Sequence, residues 1–209
     1  RRLTAACRAA NQKAGGKMVH RYNKDTQQKI LKEATDLFMS KGYLGTSTRE
    51  IAQKVGITQP NLYHYFGDKE KLYTAVLENH LKDVGKALRE IVQTSETGFQ
   101  VTLTKMAQFL IETHLVDLFL MLHDLESNLS KETRDHLFFL WKKNYREPFE
   151  EIFSANQSVL RNGISKEIAA RHFFLVLAPC ITRSKRPVEE PLNVAQLIDL
   201  YLNGVLGEA

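Results

Sequence analysis

Residues 46–72 read TSTREIAQKVGITQPNLYHYFGDKEKL, and their spacing decides the fold. Ser47-Thr48-Arg49-Glu50 fits a capping box, in which the serine hydroxyl holds a backbone N–H and the glutamate three residues on reaches back. A short helix is therefore expected from Ser47, burying Ile51, Ala52 and Val55 and stopping at Gly56. Gln59-Pro60 opens a second short helix, since proline's missing N–H would lack a helical partner in a first turn anyway. Leu62 and Phe66 are its inward anchors, Gly67 ends it, and Asp68 caps the next helix. Short helix, glycine turn, short helix is the pattern of a helix-turn-helix, whose first helix braces on the DNA backbone while the second enters the major groove. An ordinary helical hairpin with a polar outer face has the same spacing.

Working outward, Ile30, Ala34, Leu37 and Phe38 form the stripe of an earlier helix stopped by Gly42. Leu72, Val76, Leu81, Val84, Leu88 and Val92 mark a long helix behind Asp68. The remainder reads as five more helices, at about 100–113, 115–128, 131–161, 165–180 and 192–206, with Pro187 to Pro191 in a loop. No segment alternates as a strand does. The expected fold is all-α, with about nine helices.

Composition narrows the function. With 209 residues, 43% hydrophobic and 25% charged, the chain is an ordinary globular one. Its longest apolar run, Phe173 to Ile181, has nine residues, against roughly 20 for a membrane span. Cys7 and Cys180 are too few for a disulfide framework and have no zinc-spaced partners, so a cytoplasmic protein without metal is expected. His172 and Cys180 would lie about 12 Å apart along one helix, too far for a base and its nucleophile. With no paired acids and no phosphate-binding glycine loop, neither catalysis nor a cofactor is expected.

The net charge of +5 is uneven. Residues 1–24 hold seven basic groups and no acid, leaving 22 basic against 24 acidic groups over residues 25–209. The tail, residues 1–23, reads as a phosphate-gripping arm, or else its residues 1–17 read as vector sequence or an unstructured extension ahead of a start codon at Met18. Residues 25–84 carry eight basic and eight acidic groups, so a DNA reader built from them must cluster its cations on one face and use helix N-termini.

The outer face of the second short helix would present Thr58, Gln59, Asn61, Tyr63, His64 and Tyr65. Glutamine and asparagine can pair with an adenine edge, and tyrosine and histidine suit phosphates. Arg49, at the start of the bracing helix, could reach a guanine.

Near the C-terminus, Val194, Leu197, Ile198, Tyr201, Leu202 and Val205 repeat as one wide apolar stripe. The preceding helix, Ile168 to Ala178, is apolar nearly all round and includes Phe173 and Val176; only Arg171 and His172 interrupt it. A helix of that kind needs cover on every side, which the chain itself or a second copy can supply. Between these elements and the N-terminal region lie Phe109, His123, Trp141, Asn144 and Tyr145, with Pro148 unable to donate to the carbonyl of Asn144 and so expected to kink its helix. Each of these residues reads equally as plain core or as the wall of an apolar pocket.

The run from Gln28 to Leu77 resembles the N-terminal domain of the tetracycline-repressor (TetR) family. Thr46 to Ala52 followed by Val55-Gly56-Ile57 is similar to that family's second helix and turn. Asn61 to Phe66 with Asp68-Lys69-Glu70-Lys71-Leu72 is similar to its recognition helix and the start of its fourth helix. The resemblance implies a DNA-binding domain at 24–84 and a ligand-binding and dimerisation domain at 85–209. It implies DNA contacts at Thr48, Arg49, Gln59, Pro60, Asn61, Tyr63, His64 and Lys69, with Arg49, Gln59 and Asn61 on bases and Tyr63, His64 and Lys69 on phosphates; Thr46, Thr58 and Tyr65 are expected at the same interface. It implies a homodimer joined through Phe173, Val176, Val194, Leu197, Ile198, Tyr201 and Val205 on a near-palindromic operator in double-stranded DNA. It implies, finally, a repressor released by a small hydrophobic or amphipathic effector bound near Phe109, His123, Trp141, Asn144 and Tyr145. A TetR-fold activator or an effector-free nucleoid binder shares these features, and a helical protein-interaction module would instead use the C-terminal stripe on another protein.

Overall fold

A computed structural model of the chain describes residues 23–94, 98–113, 118–181 and 193–205. The basic tail, the Pro187–Pro191 loop and the side chain of Val205 lie outside the described residues. The elements are α1 (Lys24–Gly45), α2 (Thr48–Val55), α3 (Gln59–Phe66), α4 (Lys69–Thr94), α5 (Phe99–Thr113), α6 (Leu118–Asn128), α7 (Lys131–Trp141), α8 (Glu147–Ala155), α9 (Lys166–Leu177) and α10 (Val194–Val205). The fold is all-α.

Local signals account for most boundaries. Asn23 accepts from the Asp25 amide at the start of α1, Asp68 accepts from Lys71 ahead of α4, and Ser130 and Ser165 accept from Thr133 and Ile168 at α7 and α9. Each side-chain oxygen satisfies a first-turn N–H that has no partner inside its helix. Gly56 closes α2 at φ 77°, ψ 31°, and there the Ile57 amide bonds back to the Ala52 carbonyl at 2.9 Å. That six-residue closure needs a left-handed residue, which glycine adopts without a Cβ clash.

Three expectations need correction. Ser47 occupies the cap position of α2, but its side chain makes no capping bond. Glu50 is held by the Lys41 ammonium at 2.7 Å, so the α1–α2 ion pair replaces the capping box. Gly42 kinks α1 at φ 73°, ψ 179°, yet the helix resumes to Gly45. The helix expected at 131–161 is divided into three pieces ending at Ala155: α7, a π turn at Lys142–Arg146, and α8. The wide turn, closed by the Glu147 amide on the Lys142 carbonyl, directly precedes Pro148. A single π turn takes up the donor that Pro148 lacks.

The core runs without a break from one end of the fold to the other. Ile30, Ala34 and Phe38 of α1 meet Ile51 of α2, Leu62 of α3 and Leu72 of α4, all buried. Unbroken through residues 84 and 85, α4 then buries Leu81, Val84 and Leu88 in the second half, so the two halves share it. Its Gly85 is a point of close approach: a Cβ there would lie 2.5 Å from Asn144 Oδ1 on the π turn. Arg89 reinforces that seam, donating to the Lys143 carbonyl at 2.6 Å.

The C-terminal stripe also needs correction. Phe173, Leu197, Ile198 and Tyr201 are buried within a single chain, where α10 covers α5 and α9. Tyr201 donates its hydroxyl to the Ala169 carbonyl at 2.7 Å and meets the Phe173 ring edge-on at 5.0 Å. Val176 and Val194 are half-buried. The described part of the stripe is internal cover, packed on α5 and α9 of the same chain. The apolar side chains left outside are Ile168 (46% exposed) and Leu175 (68%) on α9 and Leu200 (75%) on α10.

Candidate nucleic-acid interface and effector cavity

α2 and α3 pack as two short helices joined by Gly56-Ile57-Thr58. Ile51, Ala52 and Leu62 point inward and are fully covered, which turns the polar sides of both helices outward. Thr58 caps α3 by accepting from the Asn61 amide at 3.3 Å. Thr58, Asn61 and His64 line an open groove with Gly56 and Ile57.

The residues singled out for DNA fall into three groups. Arg49, Thr58, Pro60 and His64 are exposed, with Asn61 and Tyr65 half-exposed beside them. Thr48, Gln59 and Tyr63 form a closed network. The Gln59 amide donates to Thr48 Oγ1 at 2.9 Å and to the Tyr63 hydroxyl at 3.1 Å, and the two hydroxyls share a bond of 2.8 Å. Thr46 faces inward at 1% exposure, its hydroxyl donating to the carbonyls of Leu37 and Gly42. Its side chain braces the kinked end of α1 and is not on the outer face.

Charge on this domain is mostly self-neutralised. Lys41, Lys54, Lys71 and Lys82 each pair with an acid. Arg49 makes no ion pair among the described residues. Lys69 sits 4.5 Å over the Tyr43 ring. Burial pulls its ammonium below the usual lysine range, while Asp124 and Tyr63 pull the other way.

Asp124 of α6 is absent from the residues expected at the site. It is 3% exposed and receives three hydrogen bonds: the Tyr43 amide at 2.7 Å, the Tyr73 hydroxyl at 3.3 Å and the Asn128 side chain at 3.3 Å. Burial, then the Asp124 charge, raises the Tyr73 hydroxyl far above its ordinary value, so that hydroxyl stays a donor. A lone acid inside the apolar run from Leu118 to Leu125 is its signal in the sequence.

Behind this junction a cavity of about 250 Å³ opens between α4, α6, α7 and α9. Leu77, Leu81, Leu125 and Leu137 form its floor, with Phe138, Trp141, Phe174, Leu175 and Ala178 around them; Arg171 supplies its one charge. Of the five residues read as a pocket wall, Trp141 lines this cavity and the others do not. Asn144 is buried against Gly85, its amide donating to the Leu140 carbonyl. Tyr145 is buried with its hydroxyl 3.1 Å from His80 Nε2, Phe109 packs half-buried on the core, and His123 is exposed. The π turn explains the difference: it rotates Asn144 and Tyr145 toward α4 and away from the Trp141 face. Arg171 could have been found as a cation interrupting the apolar α9.

Among the described residues no helix is long and apolar enough to cross a membrane.

Residues 30–76 match the family model described as bacterial regulatory proteins, tetR family. The HTH-type transcriptional activator FasR of Mycolicibacterium smegmatis is 32% identical over 99 residues, covering 46% of this chain and 45% of that protein. The match thus spans under half the length of FasR. The HTH-type negative transcriptional regulator of the biofilm operon icaADBC, IcaR of Staphylococcus aureus, is 27% identical over 143 residues, 68% of this chain and 67% of that protein. The crystal structure of AibR in complex with isovaleryl coenzyme A and operator DNA superposes with a TM-score of 0.61 at 25% identity, covering 86% of this chain and 97% of that one. Residues 30–76 are thus similar to the DNA-binding region of the tetR family of bacterial regulatory proteins, and the relatives matched beyond that region are transcription regulators.

Proposed function

We propose that this chain is a homodimeric repressor that binds a near-palindromic operator through α3 and leaves it when a small apolar or amphipathic molecule occupies the cavity. The observation that carries the DNA reading is the Thr48–Gln59–Tyr63 network. Both amide hydrogens of Gln59 are committed, and one hydroxyl proton bridges Thr48 and Tyr63. One hydroxyl proton is left to point outward, a donor fixed in place for a phosphate oxygen. Lys69 adds a second phosphate contact close to Tyr63. Arg49 and Asn61, and His64 in the groove, are left for bases and the adjoining backbone. Gln59 then serves as a strut more than as a base reader.

The exposed side of α9 and α10, marked by Ile168 and Leu200, supports the dimer. Laid on the same face of a second copy, it closes a four-helix bundle and sets two α3 helices at half-sites about 34 Å apart. The effector reading rests on α6. Leu125 is part of the cavity wall, and the preceding Asp124 holds the end of α1. A ligand that moves α6 changes the position of α1 and with it the spacing of the two readers. AibR, whose structure holds both a coenzyme A thioester and operator DNA, supports the pairing of effector with DNA on this fold. The name of IcaR favours repression and that of FasR activation; repression is preferred on the longer match.

The test is selection of bound duplexes from random DNA by the purified chain, followed by footprinting and transcription in vitro. A single inverted repeat whose occupancy lowers transcription is expected. Occupancy that raises transcription assigns an activator, and absence of any enriched duplex overturns the DNA reading.

A further inference from the structure

Six arginines lie within the described residues, and four are engaged. Arg89, Arg134, Arg146 and Arg161 each donate to a carbonyl or carboxylate. Arg49 and Arg171 have no such partner among the described residues. Arg49 faces the proposed DNA. Arg171, exposed to solvent, borders a cavity of about 250 Å³ whose other lining residues are apolar and include no acid. The cavity exceeds the roughly 150 Å³ that holds a benzene ring in an apolar protein interior, so it has room for a longer hydrocarbon.

We infer that the effector is an anionic amphiphile, with a hydrocarbon tail in the cavity and a carboxylate or phosphate head on Arg171. This rests on the effector reading above and specifies its chemistry. A neutral apolar ligand would fill the cavity and gain nothing from the guanidinium, which stays in water. An anionic head adds charge-assisted bonds, for which the planar guanidinium offers paired donors. The tail lies on the stacked rings of Phe138 and Trp141, whose centroids are 5.9 Å apart and whose planes are inclined by 24°. Phe138 and Leu175 at the rim are exposed and are covered by the part of the tail nearest the head.

Trp141 is the chain's one tryptophan, so its fluorescence reports occupancy without reference to DNA. The full chain is titrated with decanoate, decanoyl-coenzyme A and decan-1-ol, then again as Arg171→Gln and Arg171→Lys, with a thermal melt of each variant to confirm folding. The anions should shift Trp141 emission at concentrations about 10-fold or more below the alcohol, in line with the strength of hydrogen bonds to charged groups. Arg171→Gln should remove that advantage, and Arg171→Lys should restore part of it. Response to decanoate assigns a free acid, response to the thioester alone assigns its phosphates as the head, and both support the inference. Equal binding of the alcohol, indifference to Arg171→Gln, or no emission change with any of the three overturns it. If the anions bind but the selected operator is not released, the ligand assignment stands and the repressor mechanism fails.

Discussion

The buried carboxylate of Asp124 on α6 accepts the backbone N–H of Tyr43, one residue beyond the Gly42 kink of α1, at 2.7 Å. This bond ties the second half of the molecule to the helix that carries the reader domain. Tyr43 in turn lies under the Lys69 ammonium and edge-on to Tyr73 at 5.2 Å, so three elements meet at one acid. A single carboxylate thus links α1 and α4 to α6, one residue before the wall residue Leu125.

Replacing Asp124 by Ala should destabilise the chain by about 1–3 kcal/mol, because it leaves a buried amide and a buried phenol without an acceptor. Asp124→Asn keeps an acceptor oxygen and should lose less. Urea unfolding of both variants checks the order. Operator binding by the Asn variant, if folded, should weaken with its effector response blunted; an unchanged response would remove Asp124 from the coupling path.

Gly85→Ala should cost about 1–3 kcal/mol by overpacking, since its Cβ would press into the Asn144 side chain at 2.5–2.9 Å. Shortening Asn144 to Ala in the same chain should recover much of that loss. A double-mutant cycle in denaturant reads the coupling; additive losses would mean that the two helices separate freely.

Ile168→Glu with Leu200→Glu should give a monomer with a nearly unchanged melting temperature, because both side chains are exposed in the single chain. Leu197→Ala, in contrast, should cost about 2–5 kcal/mol as a core truncation, whatever the oligomeric state. Light scattering beside thermal melts separates the two effects. A dimer that survives both glutamates would place the interface elsewhere.

Burial lowers the pKa of His80 below its ordinary 6.5, with Asp83 opposing weakly. The unfolded chain therefore binds a proton more readily than the folded one. The contribution is fully present above pH 6.5 and is lost as pH falls through the depressed folded value. Melting temperature should decline on acidification from neutral pH in the native chain, and His80→Gln should flatten that part of the profile. A variant as acid-sensitive as the native chain would assign the decline to other groups.

Helix boundaries and the α2–turn–α3 unit are legible in the residues alone. Gly56, Pro60, Gly67 and Asp68 act on the backbone within a turn of themselves, so their effect is the same in any tertiary setting. The outward placement of Thr58, Asn61 and His64 comes from the same short-range periodicity. Expectation and structure part where the deciding partner is distant in the chain. Lys41 draws Glu50 away from its cap, α5 and α9 claim the stripe of α10, and Gly85 receives the Asn144 that a straight helix would have sent elsewhere.

The amino-acid order by itself determined which segments coil and which sides of them repel water. Only the tertiary structure decided which of two apolar sides on α9 is covered, which acid is buried at Tyr43 and which arginine is left facing a cavity. The physical reason is range. Capping and backbone preference are settled over about four residues, whereas burial depends on what else in the chain arrives at the same place.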